Sequence, residues 1–151
     1  MAHVLADILD ERHVVLELSG RTRDESLREI IRGMNIPQPD AFLREVIARE
    51  ETNTTLMRNG VAFPHARTDL VQRIVLGIGR SVDGVKFGTG DARAQLIFVI
   101  GVPRRMVNDY LVCVGAIARL VRNAETRSAL LQCGTAAELV ELLRVGSTLL
   151  E

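Results

Sequence analysis

The sequence predicts an α/β fold, a three-layer α/β/α sandwich around a mixed β-sheet, with elements in the order β-α-α-β-β-β-α-α-α. Three observations carry this. Stretches with the two-residue period of strands are interleaved with stretches at helical spacing. Residues 94–102 (AQLIFVIGV) are apolar apart from Gln95, the pattern of a central strand that needs cover on both faces. Two helical stretches precede the central strands and three follow them, so helices are available for both covers.

The elements follow in order. Residues 13–18 (HVVLEL) set Val14, Leu16 and Leu18 against Val15 and Glu17, and Ser19-Gly20 stops this first strand. Thr22 stands three before Glu25, the capping-box spacing, and Leu27, Ile30, Ile31 and Met34 then recur on one helical face. After Pro37 and Pro39, the residues Phe42, Leu43, Val46 and Ile47 mark a second helix running to about Glu50. Residues 51–59 are polar and aperiodic, a loop feeding a short strand at 60–63 that Pro64 closes. Residues 73–80 alternate again, Asp83-Gly84 reads as a hairpin turn, and Gly84, Gly88 and Gly90 serve the connection to the central strand. Val107, Leu111, Val114, Ala118 and Val121 then step by four and three along a helix. Asn123 and Thr135 open two more, the second with Glu138 in a capping box.

A chain of 151 residues suits one domain, 1–151, and 47% hydrophobic with 25% charged side chains is the balance of a packed protein rather than a disordered one. Nineteen basic side chains cancel nineteen acidic ones, so no overall field draws the molecule to nucleic acid or a membrane surface. No apolar run approaches the roughly 20 residues that span a bilayer, and the start has no basic stretch leading into an apolar one. The expected compartment is the cytoplasm. Cys113 and Cys133 form no CxxC pair and read as reduced thiols, and neither His3 nor His13 has a neighbour at metal-ligand spacing, so no metal is expected.

Chemistry is most concentrated in residues 59–69, NGVAFPHARTD. An imidazole is partly uncharged near neutral pH and has a free lone pair, so His65 is suited to accept a phosphoryl group. Pro64 fixes its own backbone and pushes Phe63 into extended geometry, which stiffens the approach to His65. On these residues alone, His65 reads more readily as the polar end of a strand than as a working group. No GxSxG turn supplies a nucleophile for a hydrolytic triad, although Asp69 is close enough in sequence to orient His65.

Taken with Arg49-Glu50, Thr54-Thr55 and the strand ending at Pro103, this block resembles the fructose/mannitol/nitrogen-type enzyme IIA domain of the bacterial phosphotransferase system, over about residues 5–144. The resemblance implies the same sandwich and makes His65 the residue that takes phosphate from an HPr-like phosphocarrier. It implies passage to an enzyme IIB domain or a transporter or regulatory protein, without a cofactor. Arg49 matches the arginine of the family's "RE" pair, and Thr54 and Thr55 match its small hydroxyl residues, which would donate to phosphoryl oxygens. Residues alone give these three ordinary roles in ending a helix and capping a loop.

The chain departs from the family at several points. Asn53, Leu56, Arg58 and Ala66 stand where glycines are usual, which implies a reshaped loop, and Tyr110 stands where many members carry a second histidine. A phenol donates a hydrogen bond but supplies no charge, and as an amphipathic residue it also suits a helix edge. Arg58, Arg67, Arg73, Arg104 and Arg105 fall near His65, with Arg67 counted among the anion-binding candidates. Two functions are therefore expected: a phosphoryl carrier, or a regulatory module of the same fold that binds an anion, a nucleotide or a transporter without turnover.

Overall fold

The structure, a computed structural model, describes residues 2–88 and 90–149, with side chains from Leu5 onward, so the side chain of His3 lies outside the described part. In chain order the elements are α1 (Ala2–Ile8), β1 (Val14–Val15), α2 (Arg23–Arg32), α3 (Pro39–Thr52), β2 (Val61–Ala62), β3 (His65–Thr68), β4 (Val75–Lys86), β5 (Arg93–Pro103), α4 (Val107–Arg122), α5 (Ala124–Gln132) and α6 (Ala136–Leu149). The apolar run is the strand around which the sheet forms. β5 pairs antiparallel with β4 on one side and parallel with β2 and β3 on the other, while β1 extends the sheet beside β4.

Alternation along the strands sorts side chains into two cores, one on each face. Leu76, Ile78, Leu96, Phe98, Ile100 and Val102 pack against Ile117, Val121 and Leu143 from the later helices, together with Leu5 of α1. Ile97 and Val99 face Leu27, Ile30, Phe42 and Val46 of α2 and α3. The mixed sheet between two helical layers is the sandwich expected from the sequence. Helix α2 and the turn that follows it close tightly on β4, since a Cβ on Gly77 would lie 2.5 Å from Met34 Cγ and one on Gly79 2.5 Å from Ile30 Cδ1. Thr22 and Glu25 form the foreseen capping box at the start of α2, and Thr135 Oγ1 accepts from the Glu138 N–H at the start of α6.

Four local expectations are corrected. Helix α1 was not foreseen. The first strand spans Val14–Val15 rather than 13–18, because beyond it the Leu16 carbonyl accepts from the Arg80 side-chain Nε rather than from a ladder N–H, although the Leu18 N–H still bonds to the Arg80 carbonyl. β3 was also unforeseen, and Asp83-Gly84 is not the hairpin turn. Gly84 does take positive φ (+86°), but inside an irregular stretch of β4 where the pairing shifts between Arg80 and Val85.

Strands β2 and β3 are one parallel partner of β5, interrupted. Ala62 lies opposite Ile97 and His65 opposite Ile100, so the register is kept across Phe63 and Pro64. Pro64 has no N–H for a ladder, and the N–H of Phe63 bonds instead to Thr55 Oγ1 at 3.1 Å. The interruption falls directly before His65.

Candidate functional site

His65 opens β3 with its side chain half-buried. By strand parity it shares the face of Val61 and Phe63, toward α4, whereas Ala62 and Ala66 enter the opposite core. Phe63 is fixed by ring stacking on Phe98, with centroids 5.6 Å apart, and the Pro64 carbonyl accepts the Ile100 N–H at 3.0 Å. Nδ1 of His65 lies 3.0 Å from the Phe63 carbonyl oxygen. A carbonyl only accepts, so Nδ1 carries the ring proton and Nε2 keeps its lone pair. Asp69, offered by the sequence as an orienting acid, does not reach the ring; it is well exposed and pairs with Arg104 at 3.4 Å.

Tyr110, at the end of the first turn of α4, lays its ring beside His65 with centroids 5.1 Å apart. Arg49 comes from the last turn of α3, where its Nη1 also donates to the Asn53 carbonyl at 2.9 Å, closing the helix end. Its charge reaches both rings. Burial pushes the His65 pKa below its ordinary value, the bond to Phe63 opposes that shift, and the Arg49 cation adds to it. Burial raises the Tyr110 pKa while Arg49 works against the rise, so the phenol keeps its proton at neutral pH.

Both threonine hydroxyls are engaged by Glu50. Thr54 Oγ1 donates to Glu50 Oε2 at 2.6 Å, and Thr55 Oγ1 to Glu50 Oε1 at 2.8 Å. Each hydroxyl has one proton, and both are committed to Glu50 rather than offered to a phosphoryl group. Thr55 is linked to the site through Phe63, and Thr54 is exposed. Arg67 is exposed on the same strand face as His65, two residues on. Sequence reasoning overlooked Glu50, although a signal existed: it falls four residues after Val46, on the apolar stripe of α3.

The missing glycines leave no strain. Asn53 is extended at φ −163°, and among the described residues the one non-glycine with positive φ is Asn35. Leu56 and Ala66 instead add apolar contacts to the α2–α3 core. A cleft of about 1190 Å³ lies beyond the 50–58 loop, lined by Arg21, Glu51, Thr54, Arg58 and Lys86, and His65 is not part of its wall. His65 is half-buried and stands outside that cleft.

The mixed-sheet α/β sandwich is that of a phosphoryl-carrier class of domain. The chain belongs to the phosphoenolpyruvate-dependent sugar phosphotransferase system EIIA 2 family, whose model matches residues 7–145. The family's members serve sugar transport and nitrogen regulation, and membership does not favour the reading as a binding module without turnover. The chain is 34% identical over 94 residues to the fructose-specific EIIA component of Haloferax volcanii, covering 62% of this chain and 61% of that protein. It is 26% identical to the nitrogen regulatory protein of Pseudomonas aeruginosa, covering 92% and 94%. The fructose-specific EIIABC component of Bacillus subtilis matches at 25% identity over 91% of this chain, which spans only 20% of that longer protein. In structure, the chain is similar to the nitrogen regulatory protein IIA-Ntr of Neisseria meningitidis, with TM-score 0.78 and 24% identity over 93% of this chain and 99% of that one. Among the described residues, no helix is long and apolar enough to cross a membrane.

Proposed function

We propose that this is a cytoplasmic phosphoryl-carrier domain, a phosphotransferase component in which His65 accepts phosphate from the phosphohistidine of an HPr-like phosphocarrier. A second acceptor follows, an enzyme IIB domain or a transporter or regulatory protein. The observation that carries the reading is the 3.0 Å contact between His65 Nδ1 and the Phe63 carbonyl, which leaves Nε2 as the nucleophile. Nε2 attacks the donor's phosphorus in line; the new N–P bond forms as the donor's N–P bond breaks, and the donor imidazole leaves with that electron pair. The proton on Nδ1 stays where it is. Arg49 offsets charge on the phosphoryl oxygens, and the Tyr110 hydroxyl donates to one of them. The step balances without metal or organic cofactor.

The partner is read from the rim. Arg67 is exposed beside His65, Arg104 pairs with Asp69, and Arg105 Nη2 donates to the Gln72 carbonyl at 3.1 Å. This surplus of arginine favours a phosphocarrier with an acidic docking face over a basic one.

The test is incubation with enzyme I, phosphocarrier and phosphoenolpyruvate, followed by intact mass measurement. The unmutated chain gains one acid-labile phosphate and His65→Ala gains none. No gain on the unmutated chain overturns the reading.

A further inference from the structure

Glu50 is an acid held where acids are rarely found, with 3% of its surface exposed. Its carboxylate takes three donors: Thr54 Oγ1 at 2.6 Å, the Thr55 N–H at 2.7 Å and Thr55 Oγ1 at 2.8 Å. Bonds this short to a carboxylate are charge-assisted and directional. We infer that Glu50 is a positioning residue for the imidazole of His65, acting through Thr55 and Phe63 to hold the ring with its proton on Nδ1 and its lone pair on Nε2. The inference rests on the reading of His65 as phosphoryl acceptor and assigns what orders that acceptor.

The chain of bonds has one direction. A carboxylate can only accept, so the Thr55 hydroxyl gives Glu50 its single proton and turns a lone pair outward. That lone pair accepts the Phe63 N–H at 3.1 Å. Phe63 is then held by its N–H, by its ring on Phe98, and by the following Pro64, whose carbonyl is bonded to Ile100. Only its own carbonyl is left to be aimed, and it is aimed at His65 Nδ1. A fixed acceptor at position 50 therefore sets, three hydrogen bonds away, where the Phe63 carbonyl meets the His65 ring. The neighbours in sequence divide the work: the Arg49 charge disfavours a second proton on the ring, while that of Glu50 favours the cationic ring that phosphorylation creates.

Glu50→Gln tests this, because an amide brings a donor into a site whose three partners all donate. The readouts are the ¹⁵N shifts of the His65 ring, which report the tautomer, and the rate of phosphate acceptance at saturating donor. The expected result is a mixture of tautomers and a rate loss of at least about tenfold, with donor affinity changed much less. Thr55→Val cuts the same path with Glu50 in place and should give the same mixture, while Thr55→Ser, which restores the hydroxyl, returns the single tautomer. The double variant Glu50→Gln with Thr55→Val should be no worse in rate than the poorer single one, as expected of links in one chain. Should Glu50→Gln not fold, the Thr55 pair decides. A single Nδ1–H tautomer and unchanged rate in Glu50→Gln or Thr55→Val overturns the inference. Failure of the unmutated chain to take phosphate is a separate result that sinks the carrier reading alone.

Discussion

Tyr110 and His65 come from different elements, α4 and β3, yet their rings meet at 5.1 Å between centroids with the planes tilted by 33°. The contact shields one side of the imidazole and contributes to its burial. Tyr110→Phe keeps the ring and removes the hydroxyl, so thermal stability should stay within about 0.5 kcal/mol. The rate of phosphoryl acceptance should fall about tenfold, the size expected for one hydrogen bond to a charged group. An unchanged rate would reduce Tyr110 to a packing residue.

The His65 pKa sets a pH dependence whose sign follows from its cause. Burial lowers it below the unfolded value of about 6.5, so the unfolded chain binds this proton more readily than the folded one. The group's contribution to stability is complete above about pH 6.5 and is lost as pH falls through the lower folded value. A titration of the His65 ring by NMR should give a midpoint under 6.5, and phosphate acceptance should decline along the same curve. Arg49→Met removes a cation that lowers this pKa, so the midpoint should rise while the rate drops by about 100-fold. A midpoint that falls in that variant contradicts the electrostatic role given to Arg49.

Much of this was legible in the sequence because local signals and tertiary demands agree there. The capping residues of α2 and α6, the apolar run of β5 and the block from Asn59 to His65 each specify their structure within a few residues. What escaped depends on distant partners. His65, Ala66, Arg67 and Thr68 show no strand alternation, and they form β3 because β5 offers an open edge in register. α1 has seven residues, too few for periodicity to declare itself. The engagement of Thr54 and Thr55 by Glu50 is not legible in the sequence because that acid is buried, and a charged side chain is ordinarily taken to face solvent.

Packing between α2 and β4 gives a prediction independent of function. Gly77→Val places a branched side chain where even a Cβ would sit 2.5 Å from Met34 Cγ and 2.9 Å from Ile30 Cγ2. Overpacking of this kind costs about 1–3 kcal/mol, and calorimetry should find the melting temperature lowered by about 2–12 °C. A variant as stable as the parent would mean that α2 rides less closely on the sheet.

The arginine rim separates docking from chemistry. Arg67 lies two residues beyond His65 on the same strand face, and Arg104 and Arg105 follow Pro103, which pairs with Thr68. If these charges steer an acidic partner, Arg67→Glu should lower kcat/KM for phosphate acceptance about tenfold at low salt, with kcat nearly unchanged. The deficit should shrink as ionic strength rises to about 0.5 M, where screening acts over only a few ångströms. If Arg67 instead touches the phosphoryl group, the loss appears in kcat and survives high salt, because a desolvated contact is screened little. A donor with a basic docking face gives the opposite sign, since the unmutated chain would repel it and Arg67→Glu would speed the encounter. Stopped-flow or quench-flow rates across a salt series distinguish all three, and a rate indifferent to both charge reversal and salt removes the rim from partner recognition.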